Sequence, residues 1–200
     1  MSDVVLVGVG GQGIVLASRL LVEAAFRAGY DVKANEVHGM AQRGGSVLAQ
    51  VRFGGKVFSP LIPSGRADLL VGLEEVEALR YAGYLGDRGW AIVNRRKIVP
   101  VTVSSGSFEY PEDIEERLRT RFERLVLVDG ERLAREAGNA RTENVVLLGA
   151  LSNFLNIPTG IWEEVIAHLV PRSTEANLKA FSLGRDVTAS GGPQGTPMYM

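Results

Sequence analysis

A ten-residue stretch from Glu36 to Gly45 combines side chains that can do chemistry with glycines that let the backbone approach a ligand. Arg43 offers a planar set of donors that matches a carboxylate or phosphate, and His38 can gain or lose a proton near neutral pH. This mixture favours contact with an anion or a cofactor. The same residue types also suit a structural loop in which His38 is satisfied internally and Arg43 is solvated, so both interpretations stay open.

A second glycine-rich stretch, Gly8–Gly13, follows the valine-rich run Val4–Val9 and precedes a helical stripe of apolar residues that begins at Ile14. It fits the pattern G-x-G-x-x-G in the strand–loop–helix context that gives this pattern meaning. Glycines let the backbone approach a phosphate, and the N–H groups at the start of a helix favour negative charge. The residues that we expect to contact a cofactor here are Gly10, Gly11, Gln12 and Gly13.

Glu36 lies near the end of the next predicted strand, Val32–Val37, about where dinucleotide-binding enzymes place the acid that binds ribose. The glycine pattern and this acid together support an NAD(P)- or FAD-binding oxidoreductase of the Rossmann type. Glycines at this spacing also serve helix–strand packing without a ligand, and no Ser/His/Asp or paired-carboxylate signature follows. We interpret Asp129, Glu74 and Glu75 as helix-cap and first-turn charges rather than as catalysts.

Length and composition restrict the class of protein. The 200 residues are 46% apolar and 22% charged, which predicts a single globular domain. The net charge is −1 and no cluster of Lys and Arg is interleaved with aromatic residues, which argues against a nucleic-acid partner. No basic region precedes the apolar N-terminal run, and no apolar run reaches membrane-spanning length. We therefore expect a cytoplasmic protein with no signal peptide and no membrane partner.

Cysteine is absent from the chain, and His38 and His168 are its two histidines. Disulfides and thiolate-held zinc or iron–sulfur clusters are therefore excluded within this polypeptide. Two histidines are also too few for a multi-histidine metal site, so we expect this chain to bind no metal.

Predicted strands and helices alternate along the chain and would position these residues. The continuous apolar run Val4–Val9 predicts a strand buried on both faces of a parallel sheet. Apolar and polar residues alternate in Ser46–Phe53, and Gly54-Gly55 predicts a hairpin turn into Lys56-Val57-Phe58 that makes the sheet mixed. Further strands are predicted at Asp68–Leu73, Trp90–Asn94 and Leu125–Val128, with a weaker strand at 99–103 and a loop at 104–107. Helices are predicted at Glu74–Tyr81, Pro111–Glu123, Asn144–Leu155, Gly160–Leu169 and Glu175–Val187.

Several blocks of the sequence resemble one known protein family. They are Gly8–Gly13, Glu36–Val47, Ser59–Pro63 with Ala67-Asp68, Asn144 with Leu148-Gly149-Ala150, and Asn177–Phe181 before Gly184. The order Arg43-Gly44-Gly45 is more specific than the glycine pattern. The chain is similar to the beta subunits of indolepyruvate:ferredoxin oxidoreductases, within the gamma-type domain family of 2-oxoacid:ferredoxin oxidoreductases.

This resemblance implies a fold and a reaction. The fold is α/β, a single three-layer α/β/α domain over residues 1–188 with a mainly parallel, mixed sheet and a Rossmann-like N-terminal unit. Apart from the resemblance, the composition from Ala189 onward turns to Gly, Pro, Ser and Gln, which predicts that residues 189–200 form a flexible tail or a segment ordered by a partner. The family oxidatively decarboxylates 2-oxo acids with thiamine diphosphate, transfers the acyl group to coenzyme A, and passes electrons through 4Fe–4S clusters to ferredoxin. A larger alpha subunit would carry the thiamine diphosphate and the clusters, which agrees with the lack of cysteine here.

Starting from this resemblance, our hypothesis is that Glu36, His38, Gln42 and Arg43 line the subunit boundary near the thiamine site or the coenzyme A channel. Arg43 would pair with a carboxylate or phosphate and His38 would donate to the oxo acid or to a partner carboxylate, which makes these two the candidate catalytic residues. The residues expected to contact a cofactor are Glu36, Gln42, Gly44 and Gly45, together with Gly10 to Gly13. Alternatively, the Glu36–Gly45 stretch only docks the alpha subunit, or the chain is a pure assembly module that has lost its catalytic partner.

Overall fold

The structure is a computed structural model that describes residues 1–38, 44–98 and 110–189, apart from the His38 side chain. Its strands are β1 (Ser2–Val9), β2 (Asp31–His38), β3 (Ser46–Gly54), β4 (Ala67–Gly72), β5 (Leu85–Asn94) and β6 (Leu125–Val128). Its helices are α1 (Ile14–Arg27), α2 (Glu75–Arg80), α3 (Ile114–Arg121), α4 (Gly130–Glu136), α5 (Glu143–Ser152), α6 (Thr159–Leu169) and α7 (Thr174–Ala189).

The strands of the described ranges form one sheet in the order β2-β3-β1-β4-β5-β6. Neighbouring strands from β1 to β6 along this order are parallel, whereas β3 lies antiparallel between β1 and β2. The sheet is therefore mixed and mainly parallel, which confirms the expected fold class. β1 is buried from its second residue to its last because it has a paired strand on each side and helices above and below.

Helices cover both faces of this sheet and give three layers. On one face α1, α4, α5, α6 and α7 enclose the larger core, to which β1 contributes Leu6. On the other face α2 and α3 enclose a smaller core, to which β1 contributes Val5 and Val7. This alternation follows from the two-residue period of a strand.

The central helix of the larger layer is α5, in which every residue from 144 to 152 is buried. Its apolar residues occur all round the helix, as expected for a helix enclosed by other elements. α7 crosses it where Gly149 and Gly184 let the two backbones touch. A Cβ added to Gly149 would lie 2.1 Å from the Phe181 carbonyl oxygen, and one added to Gly184 would lie 2.0 Å from that of Val146.

The predicted hairpin at Gly54-Gly55 is wrong. Residues 56–58 form no strand, because both edges of β3 are already paired, with β1 on one side and β2 on the other. The hairpin is formed instead by β2 and β3, with residues 39–45 as its connection. The chain after β3 is fixed by a hydrogen bond of 2.8 Å from the Val57 N–H to the Asp31 carboxylate, at the start of β2.

The other predicted elements of the described ranges are confirmed with shifted bounds. The helix predicted at Pro111–Glu123 is the shorter α3, and the last helix continues to Ala189, one residue beyond the expected domain boundary. The segments expected at 99–103, 104–107 and 190–200 lie outside the described residues, so the flexible tail stays a prediction. None of the helices in the described part of the chain has the length and apolar character to cross a membrane.

Candidate functional site

The connections that follow β1 and β4 leave the sheet in opposite directions. β1 leads through α1 to β2, whereas β4 leads through α2 to β5 on the other side. In open α/β sheets, ligands bind outside the carboxyl ends of the strands at such a point. β2 runs in the same direction as β1, so both predicted glycine-rich stretches, which follow these two strands, reach this edge.

The two stretches are in direct contact. The Gly10 N–H donates to the Gly45 carbonyl oxygen at 2.8 Å, and the Gly44 N–H donates to the Gly10 carbonyl oxygen at 3.4 Å. These bonds extend the ladder in which Val9 pairs with Ser46 at the end of β1. The structure thus brings together Gly10, Gly44 and Gly45, which the sequence places 34 or more positions apart.

Gly11 and Gly13 adopt φ values of 105° and 79°, in the left-handed region that favours glycine. A Cβ added to Gly11 would have no heavy atom of the described residues within 4 Å. Gly13 is the N-cap of α1 and supplies no side-chain cap. The start of α1 therefore presents backbone N–H groups of the kind that bind phosphate.

Gln12 braces the ends of two strands. Its Oε1 accepts a hydrogen bond of 2.7 Å from the Val9 N–H, and its Nε2 donates at 2.7 Å to the Leu73 carbonyl oxygen. A Cβ on Gly8 would lie 2.6 Å from this Oε1, so Gly8 makes room for the amide. Both ends of the carboxamide are bonded to protein, which gives Gln12 a bracing role; its contact with a cofactor stays a prediction.

Two asparagines complete this bracing. Asn94, buried at the end of β5, accepts from the Gly130 N–H at 2.9 Å and donates to the Glu143 carboxylate at 2.9 Å. Asn144, near the start of α5, donates to the Gly13 carbonyl oxygen at 3.1 Å. Sequence analysis did not identify Asn94, although a buried polar residue that ends an apolar strand is the available signal.

Glu36 is half-buried on β2, where it pairs with Ala49 of β3. β3 separates β2 from β1, so Glu36 stands two strand spacings, roughly 9–10 Å, from the strand that carries the glycine loop. A dinucleotide-binding unit places its acid on the strand directly beside the glycine loop. The sheet order therefore argues against the Rossmann-type oxidoreductase.

The candidate catalytic residues lie at or beyond the limit of the described chain. His38 ends β2 and its backbone pairs with Val47, but its side chain lies outside the description. Gln42 and Arg43 also lie outside the described residues. Gly44, which follows Arg43 directly, bonds to the glycine loop. The roles of these three side chains stay predictions.

Three buried glutamates at the start of α2 line the same edge. Glu74 caps α2, since its Oε2 accepts from the Glu77 N–H at 2.8 Å, and its Oε1 accepts from the Tyr110 hydroxyl at 2.7 Å. Glu75 stands in the first turn, as predicted. Asp129 likewise caps α4 by accepting from the Arg132 N–H at 3.1 Å. The predicted capping roles are confirmed, but the sequence held no sign that the α2 glutamates are buried.

Burial shifts the pKa of Glu74, of Glu75 and of the Tyr110 hydroxyl. It raises the pKa of the Glu74 carboxyl above its ordinary value of 4.5, against the opposing effect of the Tyr110 hydroxyl. Burial likewise raises the pKa of Glu75, against the attraction of Lys97. Burial and the two neighbouring carboxylates raise the pKa of Tyr110 far above 10.0. The Tyr110 hydroxyl therefore stays a hydrogen-bond donor at neutral pH.

The donor set of the chain fits a phosphate better than a metal. Among the described residues there is no group of three or more His, Asp or Glu side chains that could hold a metal ion. An iron–sulfur cluster would need thiolates from another polypeptide, because this chain has no cysteine. The glycine loop with the start of α1 offers backbone donors of the kind that bind phosphate.

Comparison with known proteins identifies a matching family and several relatives with similar sequences. Residues 3–187 match the family described as pyruvate ferredoxin/flavodoxin oxidoreductase. The chain is 45% identical to the indolepyruvate oxidoreductase subunit IorB of Pyrococcus horikoshii over 91% of its length and 93% of the relative's. It is 46% identical to the subunit of the same name from Thermococcus kodakarensis, again over 91% and 93%.

A solved structure agrees in fold. The pyruvate oxidoreductase subunit PORC of Thermotoga maritima superposes with a TM-score of 0.71 at 24% identity, over 92% of this chain and 95% of that one. The resemblance found in the sequence is therefore confirmed. The chain belongs to the pyruvate ferredoxin/flavodoxin oxidoreductase family.

Proposed function

We propose that this chain is the small subunit of an indolepyruvate-type 2-oxoacid:ferredoxin oxidoreductase. The observation that carries the proposal is the 45–46% identity to two indolepyruvate oxidoreductase subunits over 91% of the chain. The reaction is the oxidative decarboxylation of an aryl 2-oxo acid. Its acyl group passes to coenzyme A, and its electrons pass to ferredoxin.

The proposal divides the work between two kinds of cytoplasmic subunit. A larger alpha subunit carries the thiamine diphosphate, which supplies the carbanion chemistry, and the iron–sulfur clusters, which carry the electrons. This chain has no cysteine for a cluster, which supports that division. Ferredoxin then docks on the complex rather than on this chain alone.

The contribution of this chain is proposed to lie at the carboxyl edge of its sheet. The exposed Gly11 and the start of α1 offer backbone donors to a phosphate, and we propose that the Arg43 guanidinium contributes a charged donor to the same ligand. Support comes from the hydrogen bonds that join Gly10 to Gly44 and Gly45, which bring both stretches to one place. Glu36, His38, Gln42 and Arg43 then line the boundary with the alpha subunit.

The subunit assignment is tested by co-expression of this chain with the larger subunit, followed by co-purification and an anaerobic assay of ferredoxin reduction. We expect the two chains to co-purify, and we expect activity with indolepyruvate to need both chains and coenzyme A. Stable association with no 2-oxo acid oxidation would favour the assembly module. No association at all would contradict the subunit assignment.

Replacement of Arg43 by alanine tests the ligand contact. Loss of a charge-assisted hydrogen bond is expected to raise the KM for coenzyme A or for the oxo acid about tenfold or more. Steady-state kinetics of the assembled complex for both substrates is the measurement. Arg66→Ala is the matched control, since Arg66 is exposed just before β4, at the opposite edge of the sheet.

Unchanged kinetics for both substrates in an assembled Arg43→Ala complex would show that the segment makes no ligand contact. If that variant instead failed to co-purify with the larger subunit while Arg66→Ala still did, the segment would be a docking element. These two results separate a ligand-binding role from a docking role.

A further inference from the structure

The first residue of β3, Ser46, is held by its side chain as well as by its backbone. Its Oγ donates to Oε2 of Glu77 on α2 at 2.5 Å and lies 3.0 Å from the Tyr81 hydroxyl. The backbone just before it is held by the bonds between Gly10 and Gly45. The chain that follows residue 43 is therefore held by hydrogen bonds to the glycine loop and, separately, to α2.

The partner of Ser46 is a buried and fully engaged carboxylate. Glu77 is 4% exposed. Its Oε1 accepts from the Arg80 guanidinium at 3.0 Å, its Oε2 accepts from Ser46, and its N–H donates to Glu74. A buried carboxylate is stable only when its oxygens have partners, so each of these bonds restrains the others.

The direction of the Ser46 side chain makes this contact specific. Side chains alternate along β3, and Leu48, two residues on, lies in the smaller core that α2 covers. Val47 faces the opposite core. A slip of one residue in the register of β3 would turn Ser46 away from α2, so the bond to Glu77 also reports the register.

We propose that Glu77 is a positioning residue: through the Ser46 hydroxyl it fixes the end of the segment that carries Arg43. This inference rests on the proposed function of Arg43. Ser46 lies three residues after Arg43, so their backbones are within roughly 11 Å of each other. Two glycines stand between them, and glycines transmit restraint poorly. The bond to Glu77 supplies the restraint that the glycines lack.

The experiment uses the full chain in complex with its larger subunit and measures hydrogen exchange of backbone amides in residues 8–12 and 44–50. Three variants change the contact: Ser46→Ala removes the donor, Ser46→Thr keeps a hydroxyl, and Glu77→Gln weakens the acceptor. Glu75→Gln is the matched control, because Glu75 is equally buried on the same helix and makes no bond to Ser46. Ser46→Ala removes one oxygen atom and leaves the Arg80 bond to Glu77 in place, so we expect the variant to fold.

We expect the amides of Gly10 and Gly44 to exchange about tenfold faster in Ser46→Ala, because a hydrogen bond to a carboxylate is lost. We expect these amides to exchange at the wild-type rate in Ser46→Thr and in the control Glu75→Gln. In Glu77→Gln their exchange rate should lie between those of the wild type and Ser46→Ala. Exchange within about twofold of wild type in both Ser46→Ala and Glu77→Gln would overturn the proposal. Loss of protection in Ser46→Thr equal to that in Ser46→Ala would also overturn it, since a packing defect would then explain both.

Kinetics of the same complexes distinguish this inference from the proposed function. Ser46→Ala should raise the same KM that Arg43→Ala raises, with kcat changed by less than about twofold, because the restraint acts before chemistry. If Arg43→Ala leaves both KM values unchanged, the ligand-contact proposal fails, and the exchange measurements alone decide whether Glu77 positions the segment. If Arg43→Ala raises a KM that Ser46→Ala leaves unchanged, the positioning role is contradicted.

Discussion

Three glutamates within one turn at the start of α2 take three different roles. Glu74 caps the helix and accepts from Tyr110, and Glu77 binds Ser46 and Arg80. Glu75 is 4% exposed, and its hydrogen bond within the described residues is a long one of 3.4 Å from the Tyr110 hydroxyl. A buried carboxylate with few partners is costly when ionised. Burial therefore disfavours the charged form of Glu75 and raises its pKa.

Glu75→Gln is expected to alter the pH dependence of stability. The pKa of Glu75 is raised above 4.5 in the folded protein, so the folded state binds the proton more tightly than the unfolded state. The wild type therefore loses stability as pH rises above about 4.5 and through the raised pKa, and the variant lacks this loss. The free energy of unfolding of the variant, relative to wild type, should be higher at about pH 7.5 than at about pH 4.5.

Urea denaturation at the two pH values is the measurement. The exposed Glu116 on α3 offers a control, because Glu116→Gln makes the same chemical change at a position that stays in solvent. If the free energy of unfolding of Glu75→Gln, relative to wild type, were the same at both pH values, burial would not disfavour the Glu75 charge.

At the scale of elements, the helical layer on one face depends on how closely α5 and α7 approach. Their crossing at Gly149 and Gly184 brings backbone against backbone and lets α5 be enclosed on all sides. The start of α5 carries Asn144, which bonds to Gly13, and Glu143, which bonds to Asn94. The close crossing of α5 and α7 therefore sets the position of α5, and the start of α5 bonds to the glycine loop.

Gly149→Ala and Gly184→Ala are each expected to lower the free energy of unfolding by about 2–3 kcal/mol, because the added methyl group meets a carbonyl oxygen of the opposing backbone. Gly160→Ala on α6 is the control, since a Cβ there meets no atom within 4 Å. The free energy of unfolding of Gly160→Ala should lie within about 0.5 kcal/mol of the wild-type value or slightly above it. Chemical denaturation of the isolated chain is the measurement, and equal effects at all three glycines would contradict this account of the crossing.

At the scale of the whole molecule, the sheet order decides which ligands the fold can accept. The insertion of β3 between β1 and β2 moves Glu36 away from the glycine loop and brings Gly44 and Gly45 to it instead. The edge that would hold an adenosine ribose in a dinucleotide-binding protein is thus occupied by an antiparallel strand.

The isolated chain is accordingly expected to bind no dinucleotide. A ligand that binds only the folded state raises the midpoint of thermal unfolding, and the rise grows with the ratio of its concentration to Kd. NAD, NADP and FAD at about 1 mM should leave the midpoint unchanged. A saturable rise of the unfolding midpoint with NAD, NADP or FAD would favour the dinucleotide-binding oxidoreductase again, provided that a substitution of Gly11 abolished the rise.

The sequence by itself determined the local elements and the family of this protein. Hydrophobic periodicity predicted β1, α1 and the alternating strand β3, because burial on one or both faces leaves a period in the residues themselves. The glycine pattern and the order Arg43-Gly44-Gly45 predicted that these two stretches matter, and the structure brings Gly10, Gly44 and Gly45 into contact. The family resemblance along residues 3–187 needed no coordinates.

Only the tertiary structure decided which strands pair and which polar residues are buried. The prediction of a hairpin at Gly54-Gly55 was wrong because a turn signal indicates where a chain can reverse, not whether the neighbouring strand edge is free. In the structure β1 and β2 already occupy both edges of β3. The burial of Glu77 and its bond to Ser46, 31 residues away in the sequence, leave no trace in local pattern. Contacts between residues far apart in the chain depend on how elements pack, and that packing exists only in the folded molecule.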